Sequence, residues 1–254
     1  MDDDGGLDGA PAPLEPAPVT VVLSSWRRPH LLAPQIKALR GQSAPPTEIW
    51  LWADTCPENE EFPHEEVGAD RLFRNSSNLG VYGRFAVGLL ARTTYVAIFD
   101  DDTIPGRRYI ENCLRTMGDF PGIIAASGVQ FTSANYRPCE RYGWAKGTAA
   151  VTEIDVGCNA WFLERHWLAY LWREPPFDFH TGEDMRLSYL AQKYGGVRTF
   201  TPAQPTQELS GSICGHLGWD PVALSQQECH YQRRTEQLVA QLGGGWRTVR
   251  GVRL

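Results

Sequence analysis

Three consecutive aspartates, Asp100, Asp101 and Asp102, close the apolar run Tyr95-Val96-Ala97-Ile98-Phe99. Neighbouring carboxylates repel one another unless a cation or hydrogen-bond donors offset the charge. Alternation along an extended chain sends Asp100 and Asp102 to one side and Asp101 to the other. Two carboxylates on one side of a strand end suit a hard cation, Mg²⁺ or Mn²⁺. Asp also favours helix starts, so the same residues could cap a following helix, although three exceed what one cap requires. A second acidic pair, Glu183-Asp184, follows Gly182 and opens a run with Met185, Leu187, Tyr189-Leu190 and Tyr194 at helical spacing. At a helix N-terminus such carboxylates gain roughly 0.3–1 kcal/mol from the dipole, a sufficient structural reason for them. The same dipole favours the ionised form that a general base needs. His180, His216 and His230 are candidate ligands or proton carriers, each equally compatible with a packing or surface role. Arg233 and Arg234 follow His230 at helical spacing, so one face would carry a His and two Arg, a set suited to a diphosphate and its metal. In the loop Asn75-Ser76-Ser77-Asn78-Leu79-Gly80-Val81-Tyr82-Gly83-Arg84, Gly80 and Gly83 permit close backbone approach and Arg84 could reach a phosphate. An ordinary turn with a solvated Arg explains that loop as well.

These residues need a frame. Val19-Thr20-Val21-Val22-Leu23 has the β-branched composition of a buried parallel strand and ends in the polar loop Ser24-Ser25-Trp26-Arg27-Arg28-Pro29. Leu31-Leu32, Ile36 and Leu39 then predict a helix stopped at Gly41, and Glu48-Ile49-Trp50-Leu51-Trp52-Ala53 a second strand. Strand, helix and strand make one βαβ unit. A third strand over 71–75, a helical segment over 85–90 and the strand before Asp100 extend this to an open α/β sheet. Ligands of such sheets sit outside the carboxyl ends of the strands, which places Trp26, Asp54 and the aspartate triplet on one rim. Further on, the pattern predicts a helix over 108–117, strands over 123–126 and 153–157, an aromatic-rich segment over 160–170 and helices over 183–194 and 225–242. Residues 131–150 read as a long surface loop, a candidate wall for a second substrate.

The chain has 254 residues, 42% hydrophobic, enough for a core without metal or disulfide staples. Its net charge of −6 argues against a nucleic-acid partner, and Arg27-Arg28 is too short a basic run to reverse that. No stretch of ~18 apolar residues predicts a membrane span, and the acidic Met1-Asp2-Asp3-Asp4 start lacks the apolar segment of a secretory signal. The expected location is the cytoplasm, free or peripheral to a membrane. Six cysteines (Cys56, Cys113, Cys139, Cys158, Cys214, Cys229) form no CxxC pair and are expected as free thiols. Residues 1–17 are expected as a disordered acidic, Pro/Ala-rich tail. One domain, 18–254, would follow, with a nucleotide-binding half (18–106) and an acceptor-binding half (107–254). Trp144, Trp161, Trp167 and Trp172 suit sugar stacking and suit packing equally.

The βαβ start, the Asn-rich loop with Arg84, the strand ending in Asp100-Asp101-Asp102 and the later Glu183-Asp184 resemble a GT-A glycosyltransferase in order and spacing over residues 19–235. Both the family-2 inverting and the exostosin-like family-64 retaining transferases are similar. For the second, Leu224 to Arg234 resembles the C-terminal exostosin segment, with His230 four residues before Arg234. Gly157-Cys158-Asn159-Ala160-Trp161-Phe162 resembles the glycine-led strand beside the acceptor. The exostosin Asn-Asn-Arg-Phe motif is present only as Asn78 and Arg84-Phe85. The resemblance implies a mixed Rossmann-like sheet and transfer of a sugar from a UDP-sugar to a sugar or glycoconjugate hydroxyl with Mn²⁺ or Mg²⁺. Asp54, Ser24, Arg28 and Asn78 would line the nucleotide pocket, with Arg84 on the nucleotide or its phosphates. Asp100 and Asp101 would serve the donor, Asp102 the cation with His230 as a further ligand, and Arg234 the departing UDP. Asp184, beside Glu183, would act as base in an inverting enzyme or stabilise anomeric charge in a retaining one. Two other functions fit parts of the sequence: a non-catalytic nucleotide-sugar or carbohydrate binder, and a phosphohydrolase using Asp100 as nucleophile.

Overall fold

The computed structural model describes residues 17–143, 147–211 and 221–254. The expected N-terminal tail lies outside them except for Ala17, which already belongs to the first strand. β1 (Ala17–Ser25), α1 (Leu32–Arg40) and β2 (Pro46–Ala53) form the expected βαβ unit, with β1 and β2 parallel from Thr20↔Glu48 to Ser25↔Ala53. Short α2 (Pro57–Glu60), β3 (Arg71–Arg74), α3 (Gly83–Gly88) and β4 (Tyr95–Phe99) complete a parallel half in which β4 pairs with the other edge of β1. The order β3-β2-β1-β4 reverses direction beside β1, leaving the crevice outside the carboxyl ends where Rossmann-like sheets take their ligands.

The second half makes the sheet mixed, joining its strands by antiparallel pairings and one parallel one. α4 (Tyr109–Asp119) leads into β5 (Gly122–Phe131), followed by β6 (Cys139–Gly143), β7 (Thr152–Ile154) and β8 (Val156–Glu164). β8 inserts between β4 and β5, so the described residues form one sheet ordered β3-β2-β1-β4-β8-β5-β9-β7, with β6 also on β5. Here β9 (Arg198–Thr201) follows the long α5 (Glu183–Gly195), and α6 (His230–Gly243) is the last helix. Two sequence expectations are corrected. The segment 131–150 is not all loop, because β6 pairs along β5. Within the aromatic segment 160–170, residues 160–164 end the buried strand β8, whose Ala160-Trp161-Phe162-Leu163 is apolar on both faces because β8 is central rather than peripheral, and Arg165–Trp172 form a 3-10 helix.

The larger core packs the parallel strands and β8 against α1, α3 and α4; a smaller one gathers Phe131, Tyr136, Met185, Leu238 and Trp246 under α5 and α6. The described cysteines are free thiols, and Cys214 lies outside the described residues. Trp167 belongs to the core, Trp172 packs beside Tyr82, and Trp144 lies outside the described residues. Among the described residues no helix is long and apolar enough to cross a membrane.

Candidate active-site cleft

The carboxyl ends of β1, β2 and β4 open on a cleft of about 420 Å³. Ser24 and Arg28 come from the end of β1, Asp54 from the end of β2, and the aspartate triplet from the end of β4. The opposite wall is built by β8 and by the first turns of α5 and α6, which supply Glu183, Asp184, His230 and Arg234. The cleft therefore gathers the residues to which the glycosyltransferase resemblance gave a role, with Asn78 and Arg84 also lining it. Trp26, Trp161 and His180 also line it, whereas His216 lies outside the described residues.

Local structure fixes these side chains. Gln35 of α1 donates from Nε2 to the carbonyls of Asp100 and Thr103 (2.8 Å each), clamping the turn that carries the triplet. Asn59 donates from Nδ2 to the carbonyls of Ser25 and Asp54 (2.8 Å each), tying the ends of β1 and β2 together. The Asp54 carboxylate accepts from Trp52 Nε1 (3.2 Å), Asn75 Nδ2 (3.2 Å) and the Leu79 amide (3.3 Å). On β8 the register against β5 shifts, and Asn159 takes φ +70°, a bulge of the kind that re-aims residues beside a site. Its carbonyl accepts the Asp100 amide (2.8 Å) and the Thr103 hydroxyl (3.1 Å).

The triplet does not alternate as an extended chain would. Asp101 and Asp102 lie in a turn and share Arg28, whose Nη1 is 2.7 Å from Asp101 Oδ1 and 3.3 Å from Asp102 Oδ2. Asp100 pairs instead with Arg84 (2.6 Å). The capping alternative is also corrected, since α4 begins at Tyr109 with Arg108 at its N-cap. Arg84 is no solvated turn residue: it is buried, reaches Glu183 Oε1 at 3.1 Å and packs its guanidinium 5.3 Å from the Trp161 ring. Asp184 is held by Arg234 Nη2 (2.7 Å) and by the Met185 amide (2.6 Å). Arg233 does not share the inward face with His230 and Arg234; it turns out to Asp178 (3.3 Å) and does not line the cleft.

Acids dominate this cleft, and their proton affinities record it. Burial lifts Asp100 and Asp101 to about 6 against the pull of Arg84 and Arg28, and raises Asp54 and Asp102 as well. Glu183 is pushed up to about 7 by burial and by Asp184 beside it. His230 is pushed down to about 4 by burial and the neighbouring Arg234, so it stays neutral at physiological pH. Among the described residues no group of three or more His, Cys, Asp or Glu is arranged to hold a metal ion, and the Asp102–His230 expectation finds no preformed cage. The donor set nevertheless suits a hard cation, which needs only one or two carboxylates when a substrate's phosphates supply the rest. Desolvation raises these carboxylates even beside Arg28 and Arg84, and a bound cation would favour their ionised form.

Sequence reasoning passed over several cleft residues: Trp52, Tyr136, Arg137, Arg141, Thr181 and Tyr231. Tyr136 and Arg137 precede β6 and Arg141 lies on it, in the segment read as loop. Its β-alternation is short and polar, and a hairpin partner in β5 was its only available signal.

No protein-family model and no curated protein matches the chain. Solved structures do. S. aureus TarS 1–349 superposes with a TM-score of 0.55 at 13% identity, covering 74% of this chain and 58% of that one. The same protein in complex with UDP gives 0.54 at 12% identity. The mannosyltransferase PcManGT from Pyrobaculum calidifontis, in complex with GDP-Man and Mn²⁺, gives 0.55 at 16% identity, covering 91% of this chain and 66% of that one. The chain thus spans less than two thirds of the length of these relatives. At such identities the likeness is one of fold: a Rossmann-like mixed α/β sheet flanked by helices, shared with TarS and with the mannosyltransferase PcManGT.

Proposed function

We propose that the protein is a GT-A-type glycosyltransferase that moves a sugar from a UDP-sugar to an acceptor hydroxyl, with Mn²⁺ or Mg²⁺ as cofactor. The supporting observation is one cleft in which the aspartate triplet of β4 faces the Asp184–Arg234 pair of α5 and α6. The fold shared with PcManGT, which was solved with GDP-Man and Mn²⁺, is consistent with it.

On this reading Asp54 accepts a hydrogen bond from the uracil ring, and Ser24, Arg28 and Asn78 line the nucleotide end. Asp100 meets the ribose hydroxyls; Asp102, with Asp101 and His230 within the same cleft, would hold the cation. When bound, that cation supplies Lewis-acid charge to the leaving diphosphate. Asp184 takes the proton of the acceptor hydroxyl as its oxygen bonds to the anomeric carbon and the bond to the diphosphate breaks. Arg234, already beside Asp184, offers its guanidinium to the charge that develops on the departing phosphate. Arg84 acts differently from the sequence expectation. Its Nη1 and Nη2 pair with Asp100 and Glu183, so on this reading it ties the two walls of the cleft together.

The test is UDP release from a panel of UDP-sugars with Mn²⁺, with and without EDTA. Asp102→Asn should abolish the metal-dependent part of UDP binding. Asp184→Asn should keep UDP binding and lose turnover by about 10²–10⁴-fold, the range for a general base. UDP binding indifferent to both EDTA and Asp102→Asn would overturn the proposal.

A further inference from the structure

The cleft's charges are not evenly committed. Arg28, Arg84 and Arg234 are each ion-paired with a carboxylate of the cleft itself. Arg137 and Arg141 also line the cleft but are exposed, and neither has a carboxylate partner among the described residues. Arg137 is instead laid on the Tyr231 ring, 3.8 Å from its centroid, and Tyr231 stacks against Tyr136 at 6.0 Å. Tyr136 is itself fixed, its amide donating to Thr235 Oγ1 (3.1 Å) and its ring lying under Arg234 at 4.4 Å. An aromatic platform thus holds one cation while leaving its N–H groups free for an anion.

Topology says which substrate meets these cations. The nucleotide end is built on β2, β1 and β4. Beyond β4, in the opposite direction, come β8, β5 and then β6. At a strand spacing near 4.8 Å, β6 lies about 14 Å past β4, on the side away from β2. Arg141, carried by β6, therefore lines the cleft on the β8–β5 side, away from the strands of the nucleotide end, and on the glycosyltransferase reading that side is left for the second substrate. Two arginines on one cleft wall with no carboxylate partner among the described residues favour an anion, and a planar guanidinium can bind phosphate or carboxylate with two parallel hydrogen bonds.

Building on the glycosyltransferase reading, we propose that Arg137 and Arg141 form a subsite for an anionic group on the acceptor, a phosphate or a carboxylate near the hydroxyl that receives the sugar. A neutral acceptor would leave both cations without a counter-charge.

The experiment is calorimetric titration of the protein, saturated with UDP and Mn²⁺, with three probes: glucose, glucuronate and glucose 6-phosphate. The two anionic sugars are expected to bind about tenfold or more tighter than glucose, a gain lost in Arg137→Ala and Arg141→Ala. Whichever of glucuronate and glucose 6-phosphate binds more tightly identifies the anion. Both substitutions are on exposed residues and should leave UDP affinity intact, which also confirms that the variants are folded. Equal affinities for glucose and the anions, no binding of any probe, or anion binding unchanged in the variants would overturn the subsite. So would a loss of UDP affinity in the arginine variants, which would assign these cations to the donor. Failure of the parent protein to bind UDP would instead strike at the glycosyltransferase reading itself.

Discussion

A buried arginine between two acids is worth most when one partner is removed. Arg84 holds Asp100 at 2.6 Å and Glu183 at 3.1 Å, and thereby ties the end of β4 to the start of α5 across the cleft. Breaking such a buried cluster leaves uncompensated charge and costs about 3–5 kcal/mol. Arg84→Ala is therefore expected to lower stability by about that amount at pH 8. At pH 5 the loss should be smaller. Asp100, already lifted to about 6, and Glu183, already at about 7, then take protons in place of the missing cation. The double variant Arg84→Met/Glu183→Gln removes the charge together with its partner and should be more stable than Arg84→Ala. Urea denaturation at the two pH values checks both statements; a loss independent of pH would refute the electrostatic account of Arg84.

Elements matter here through their ends. α5 can start at Glu183 because Gly182 takes φ +84°, and a Cβ at that position would run into the Gln237 side chain of α6. Gln237 Nε2 in turn donates to the Gly182 carbonyl (2.7 Å), so the helices bearing Asp184 and Arg234 are fastened at one glycine. Gly182→Ala is expected to cost about 2–4 kcal/mol, combining left-handed strain with overpacking. It should also weaken UDP binding by pushing α6 away from the cleft. Adding Gln237→Ala makes room for the new methyl and should recover part of the stability, leaving the backbone strain behind; denaturation midpoints of the single and double variants measure this. How much of these elements the sequence disclosed follows from their surroundings. β1, β2 and β4 are apolar runs bounded by polar loops, and their ends deliver Arg28, Asp54 and the triplet in chain order. β6, Cys139-Glu140-Arg141-Tyr142-Gly143, pairs only with β5 among the described residues and keeps polar, exposed positions, so its composition resembles a loop. β8 hides behind the bulge at Asn159, where a polar, kinked stretch interrupts what is otherwise a continuous buried strand. The acidic wall was thus legible from local pattern. The cationic wall of Arg137 and Arg141 depends on a hairpin that only long-range pairing creates.

At the scale of the whole molecule, the cleft makes the fold hold protons that the unfolded chain would release. Asp100 and Asp101 at about 6 and Glu183 at about 7 stand above their unfolded values near 4. Asp155, pushed to about 6 by burial where it accepts the Phe131 and Val249 amides, adds to them. Between pH ~4 and ~7 the native state therefore binds more carboxyl protons than the unfolded state, and by linkage their contribution to stability falls as pH rises. His64 and His230, both lowered by burial, act in the opposite sense, but only up to their unfolded value near 6.5. Surface carboxylates held low by ion pairs, such as Glu111 at about 2, have finished titrating well below this range. The net expectation is a ligand-free protein whose melting temperature declines from pH 6.5 to pH 8. A divalent cation competes with protons for the same carboxylates, so Mn²⁺ with UDP should raise the melting temperature more at pH 8 than at pH 6, flattening the decline. Thermal melts across that range, with and without Mn²⁺ and UDP, decide the matter. A ligand-free protein that gains stability toward pH 8, or a Mn²⁺–UDP shift of the same size at both ends, would mean that the cleft carboxylates do not carry the charge excess on which cation binding depends.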